Sequence, residues 1–204
     1  MPIRAGEPWG DVGPCPVDAV RVSSNGELWR LVERCRREMV PIPPVALLGG
    51  DVMRAVGGTG DERRLAGDVS CVPIDLGRVE ADGRVGWFAA HLVARRSWWF
   101  GPIVAVMNAE HHGTYDVAPR AHPNDGRFDV VTVDESMSRR DRLRARRRLA
   151  LGAHVPHPAI EIRRHATSML TFARPMSIEL DGQAWGSARS ISVTVEADAF
   201  IACV

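Results

Sequence analysis

From about residue 66 onward the chain runs in short stretches of β-branched and aromatic residues separated by turn signals, a texture that fits antiparallel strands. The stretches predict strands at 69–76, 85–94, 101–108, 113–118, 127–133, 159–164, 167–173, 176–180 and 190–195, with 199–203 closing the chain. One helix interrupts them. Ser138, three residues before Asp141, is an N-cap pattern, Gly152 a C-terminal stop, and the HVPHP run at 154–158 breaks the chain into the next strand. Before residue 66 the period changes. VDAVRV at 17–22 is a short strand, and beyond a polar loop Leu28, Leu31, Val32 and Cys35 recur at helical spacing. A Pro-bounded apolar strand at 44–48, a Gly49–Gly50 turn and a short helix from Asp51 to Gly57–Gly58 repeat the form. Two strand–loop–helix units in succession predict a small parallel sheet. The fold class is therefore α/β plus β: a parallel α/β lobe over 17–65 packed on a larger antiparallel β-sandwich-like lobe over 66–204. Residues 1–16, with four prolines and three glycines, read as an irregular arm from which Trp9 can pack on the body.

Composition narrows the chemistry. A chain of 204 residues with 45% apolar content buries roughly 70% of its unfolded surface, enough for one large domain or two small ones. The formal net charge is +1, which gives no global reason to expect nucleic acid. All 26 basic residues are arginine, so a lysine Schiff base, a P-loop lysine and a protein-kinase strand lysine are excluded. Cys15, Cys35, Cys71 and Cys203 form no CxxC pair and are expected as buried free thiols. Neither a signal-peptide pattern nor an apolar run of membrane-spanning length is present, so a cytoplasmic chain is expected.

Several constellations could carry chemistry. Pro123-Asn124-Asp125-Gly126 has the residues of a tight turn, which would bring Asp125 towards Asp129. Two carboxylates on a rigid turn suit Mg²⁺, the alternative being a solvated Asp-Gly turn. Asp181, at the end of IELDG, is either a general base or part of a hairpin turn. The loops SSNGE at 23–27 and LLGGD at 47–51 sit where strand meets helix, so Asn25, Gly26, Gly49, Gly50 and Asp51 can hold phosphate or simply turn the chain. The segment 138–152 holds seven arginines within 139–148, with an apolar stripe around Leu143 and Leu149–Leu151 to dock on the body. Its charged face is either solvated or meets anionic lipid or a phosphate backbone. His111, His112, His154, His157 and His165 form no recognisable ligand set. Trp98 and Trp99 are expected to be core on one side and a partner surface on the other.

Taken in order, the glycine-containing βα loop, the second βα unit, the segment NAEHHGTYDVAPRAHPNDGRFDVV from Asn108 and the later LDGQ resemble the diacylglycerol kinase catalytic-domain family, which includes sphingosine kinases and bacterial lipid kinases. The likeness runs from about Val17 to the end. It implies ATP held at the βα loops, Mg²⁺ near Asp125 and Asp129, and phosphoryl transfer to a lipid hydroxyl assisted by Asp181, with Asp51 matching the acid of the second loop. The nucleotide motifs depart from that pattern. The family's GGDGT becomes Ser23-Ser24-Asn25-Gly26-Glu27, its GTGND becomes Leu47-Leu48-Gly49-Gly50-Asp51, and Gln183 replaces the Glu of its DGE. The chain also begins close to the first loop, so the α/β lobe is read as truncated. Three functions follow as expectations. One is a weak or degenerate ATP- and Mg²⁺-dependent lipid kinase; a second is an inactive family member that binds a ligand or regulates a partner. The third is a binder of anionic membrane or nucleic acid through Arg139–Arg148, peripheral at the membrane. An incomplete sheet edge admits a homodimer.

Overall fold

The computed structural model describes residues 9–204. Thirteen strands and three α-helices succeed one another among these residues: β1 (Asp11–Pro14), β2 (Val20–Val22), α1 (Asn25–Glu38), β3 (Val45–Leu47), α2 (Asp51–Ala55), β4 (Asp68–Ala81), β5 (Arg84–Phe88), β6 (His91–Arg95), β7 (Ile103–Met107), β8 (His111–His112), β9 (Tyr115–Asp116), β10 (Phe128–Val133), α3 (Arg139–Leu149), β11 (Ile160–His165), β12 (Thr167–Leu180) and β13 (Gln183–Cys203). A 3-10 turn at Glu62–Ala66 joins α2 to β4. The main sheet runs β1-β4-β13-β12-β6-β7-β10-β11, with β5 added to β4. It is antiparallel except where β2 pairs with β3 and β3 with β13. This is the expected class, a small parallel section attached to a predominantly antiparallel β body. The parallel strands join the main sheet through β13, and Val22, Leu28, Leu47, Ile74 and Phe200 share one core. Of the expected irregular arm, residues 1–8 lie outside the described residues and 11–14 form an edge strand on β4. Trp9 packs on the core and meets the His122 ring edge-on at 4.6 Å.

Sequence dictates several of these boundaries. α1 starts at Ser24, whose hydroxyl accepts from the Glu27 amide, and ends where Met39 turns left-handed at φ 55°. Its buried Leu28, Leu31, Val32 and Cys35 are the residues the period selected. The strand expected at 85–94 breaks at Ala89–Ala90 into β5 and β6. Conversely, 167–173 and 176–180 fuse into β12, and 190–195 and 199–203 into β13, each across a register shift. Bulges let a strand continue through Pro175 and the left-handed Asp198 (φ 50°), where turn signals predicted ends. The segment 113–118 keeps only the two-residue β9.

Two cysteines depart from expectation. Cys71 and Cys203 stand directly opposite in the β4–β13 register and form a disulfide with Cα atoms 4.1 Å apart. Cys15 and Cys35 remain free thiols.

β6, β7 and β10 have two buried faces. Leu92, Ala94, Val104, Val106, Phe128 and Val130 point into the core shared with β12 and β13. The alternate residues Val93, Ile103, Ala105, Met107 and Val131 point to the other side, which α3 covers.

Candidate functional site

The two βα loops meet. Asn25 Nδ2 donates to Asp51 Oδ2 at 2.7 Å, and the Asp51 amide donates back to Asn25 Oδ1 at 2.7 Å. Gly50, at φ 95°, permits this closure; a Cβ there would lie 2.6 Å from Asn25 Oδ1. Gly26 faces the Gln183 amide, which a Cβ would meet at 2.9 Å, so the turn after β12 closes on the first loop. Asp51 also takes the Gly113 amide and lies 3.2 Å from His91 Nε2. Burial opposes its ionisation, but the hydrogen bonds from His91, Gly113 and Asn25 together hold its carboxyl below the usual range. His91 stacks on His112 with ring centroids 4.3 Å apart. Burial, and next to it His91, hold His112 below the ordinary histidine range.

The N-termini of α1 and α2 thus each carry a carboxylate of the chain in their first turn. Asp51 occupies the first turn of α2, and Glu27 at α1 accepts from the Ser23 amide at 2.7 Å and its hydroxyl at 3.1 Å, bonds that lower its pKa. A triphosphate approaching these loops would meet two anions. Glu27, which stands where the family's first loop has Thr, adds a like charge that opposes a triphosphate there.

Asp181, at φ 49° in the turn between β12 and β13, is buried under three amides. Its Oδ2 accepts from Ala89 at 2.7 Å, and its Oδ1 from Ala90 at 2.8 Å and His91 at 3.0 Å. This explains the break between β5 and β6. The amides freed from the ladder at 89–91 are satisfied by one carboxylate. Burial raises its pKa, against the opposing pull of His91 and the amides. Asp181 therefore holds His91 in place against Asp51.

Asp125 and Asp129 do come together, with a cation between them that the sequence did not reveal. Arg164, opposite Asp129 in the β10–β11 register, bonds Asp125 Oδ2 and lies 3.5 Å from Asp129 Oδ1. Asp125 also takes the Arg127 amide at 3.0 Å. Burial raises Asp129, which Arg164 offsets. A guanidinium already neutralises this pair. Mg²⁺ does not fit here as the residues stand. Replacing Arg164 by serine should lower stability by about 1–2 kcal/mol, and millimolar Mg²⁺ should restore part of it. Wild-type thermal unfolding should not respond to Mg²⁺ or a chelator; a wild-type response would overturn the assignment of Arg164 as the resident cation.

Behind this pair lies Asp75, fully buried in β4. It accepts from the Gly126 amide at 2.8 Å, the Asp198 amide at 2.9 Å and Asn124 Nδ2 at 3.3 Å. Burial, with Asp125 nearby, pushes its carboxyl up. Asn108 supports the same region by donating to the Asp75 and Ala89 carbonyls.

The largest departure from the sequence reading is beneath α3. A cavity of about 360 Å³ lies between the second face of β6, β7 and β10 and the helix, within the range of small-molecule sites. Apolar Ile103, Ala105, Met107, Val131 and Leu149 line it, and His112 links it to the Asp51–His91 pair. His154, also on its wall, is buried with the Val117 backbone as its one hydrogen-bond partner, and His112 Nε2 is unpaired. Burial holds His154 below the ordinary histidine range. α3 does not dock through Leu143 and Leu151, which are 40% and 81% exposed. Its anchor is Arg142, buried and donating to the carbonyls of Met137, Asp134, Trp98 and Gly101. Arg142 is thereby removed from the charged outer face.

Residues 77–200 match the profile of the YegS C-terminal NAD kinase beta sandwich-like domain. The chain belongs to that family. Among solved structures, it is similar to a diacylglycerol kinase from Bacillus anthracis str. Sterne, at 13% identity and a TM-score of 0.65 over 91% of this chain and 75% of that one. Two further structures from the same strain, each described as a candidate diacylglycerol kinase, align at 12% identity with TM-scores of 0.68. Both cover 91% of this chain, and respectively 76% and 77% of the other. The lipid-kinase-like family read from the 108–131 segment is borne out; likeness at this identity is one of fold. No curated protein matches the chain. Among the described residues no helix is long and apolar enough to cross a membrane.

Proposed function

We propose that this chain is a lipid-binding member of the lipid-kinase-like family that holds an acyl chain under α3 and does not transfer phosphate. The cavity carries the reading. Its walls are apolar, so each methylene moved from water contributes roughly 0.8 kcal/mol before the costs of binding. The unpaired His112 Nε2, with the His154 ring on the same cavity wall, suits the hydroxyl, ester or carboxyl group of a monoacyl lipid, since buried polar atoms favour a ligand that satisfies them. The carboxylates at both helix N-termini and the guanidinium between Asp125 and Asp129 argue against ATP and Mg²⁺.

The ATP- and Mg²⁺-dependent kinase is the competing reading, favoured by family alone. Calorimetry separates them. Millimolar ATP, with or without Mg²⁺, should give no saturable heat, whereas a dodecyl monoacyl lipid below its micellar concentration should titrate. Saturable, Mg²⁺-dependent ATP binding that Asp125→Ala weakens would overturn the non-kinase reading and justify a test of transfer to lipid hydroxyls.

A further inference from the structure

The loop between β6 and β7 exposes three consecutive aromatic residues. Trp98 is 47%, Trp99 42% and Phe100 55% exposed, in a chain with only six tryptophans and five phenylalanines. Large aromatics side by side in water are costly unless something covers them. They are tied to α3, because Arg142 donates to the carbonyls of Trp98 and Gly101, on either side of Trp99 and Phe100. Trp98 and Trp99 also line the apolar cavity, and the Arg95 guanidinium sits 4.2 Å over the Trp98 ring.

The outer face of α3 supplies the charge. Arg139, Arg140, Arg144, Arg146, Arg147 and Arg148 are all exposed. Of these, Arg144 pairs with Asp141 at 3.3 Å and Arg146 donates to the Tyr115 hydroxyl at 2.9 Å. Arg139, Arg140, Arg147 and Arg148 have no acidic partner among the described residues. An aromatic tip, a polybasic helix and the wall of an apolar cavity are thus held together by one buried arginine.

We infer that the Trp98–Phe100 tip and the outer face of α3 form a docking surface for an anionic bilayer. The rings enter the headgroup layer and the arginines meet lipid phosphates. This rests on the acyl-binding reading only in its purpose, which is to place the cavity wall against the source of its ligand. Charge alone would also suit a nucleic acid backbone. The exposed aromatic tip beside an apolar cavity favours lipid, since amphipathic rings gain by leaving water at an interface.

Sedimentation with vesicles tests the surface. The 204-residue chain should bind vesicles containing one third phosphatidylglycerol and remain free of pure phosphatidylcholine. Changing Arg139, Arg140, Arg147 and Arg148 to serine should weaken partitioning by about 10²–10³-fold, and changing Trp98, Trp99 and Phe100 to serine by about tenfold or more. Brominated lipid should quench part of the wild-type tryptophan fluorescence. The conservative Trp98→Phe, Trp99→Phe double variant should still bind but lose that quenching, which separates insertion from misfolding. Ala105→Trp, which obstructs the cavity, should leave vesicle binding unchanged, so docking and acyl binding fail separately. No binding to anionic vesicles at low salt would overturn the inference. So would vesicle binding with no bromine quenching and no effect of the aromatic substitutions, the pattern of a general polyanion binder that also retains RNA.

Discussion

Asp75→Ala should lower the free energy of unfolding by about 3–5 kcal/mol, measured as a fall in urea midpoint at unchanged slope. The substitution removes the acceptor of the Gly126 and Asp198 amides at a fully buried position, while Asn124 Nδ2 keeps its bond to Asp198 Oδ1 at 3.0 Å. Each orphaned donor costs about 1–3 kcal/mol, partly offset because an ionised carboxylate no longer has to be buried. Asp75→Asn should recover roughly half the loss. Its one carbonyl oxygen can serve Asn124 and Asp198, but its amide nitrogen would face the Gly126 N–H. The two proteins should also differ with pH. Burial raises Asp75, so the folded state takes up its proton more readily than the unfolded chain, whose Asp titrates near about 3.9. The associated stability is fully present below that value and is lost as pH rises through the folded pKa. Asparagine does not titrate, so the advantage of wild type over Asp75→Asn should shrink as pH is raised from about 4 towards 7. An unchanged difference would contradict the raised carboxyl.

Asp181→Ala should cost about 3–4 kcal/mol of stability, because its carboxylate is the acceptor for the amides of Ala89, Ala90 and His91. The effect should extend to the neighbouring pair. With those amides free, β6 loses its starting point, and His91 loses its fixed approach to Asp51. The His91 ring proton signals should therefore broaden or shift even at temperatures where the variant is folded. A residue acting only as a general base on an outside substrate would behave differently, with Asp181→Ala folded as stably as wild type and the His91 environment unaltered. That outcome would return Asp181 to the catalytic role implied by the family resemblance.

Much of the β body was legible because its signal is local. β-branched residues recurring over β7 and β10 specify strands, and their boundaries fell within a few residues of prediction, whereas β5 and β6 read as one strand. β12 and β13 were harder. Pro175 and Asp198 look like strand ends in sequence, yet bulges carry the strands through them. The two glycine-containing loops at strand–helix junctions were readable, but the Asn25–Asp51 bonds that close one on the other were not. Arg164 was not, because only the β10–β11 register brings it to Asp129. The Cys71–Cys203 bond, spanning 132 residues, likewise depends on β4–β13 pairing. Asp75 did carry a usable signal, an acid inside the apolar run VPIDLG, where burial demands dedicated partners. The α3 cavity had no comparable mark. Its helix reads as a charged surface element, and the anchoring role of Arg142 is indistinguishable in sequence from that of its six arginine neighbours.

The acyl-binding account is tested most directly by titrating a series of monoacyl lipids of increasing chain length into wild type and Ala105→Trp. Ala105 lies on the cavity wall in the middle of β7, and an indole there takes the space of the ligand. Wild type should bind saturably and tighten about fourfold per added methylene until the cavity is full. Ala105→Trp, compared at a temperature where it is folded, should bind at least a hundredfold more weakly. Equal binding by the two proteins, or affinity independent of chain length, would contradict the assignment of this cavity as the lipid site.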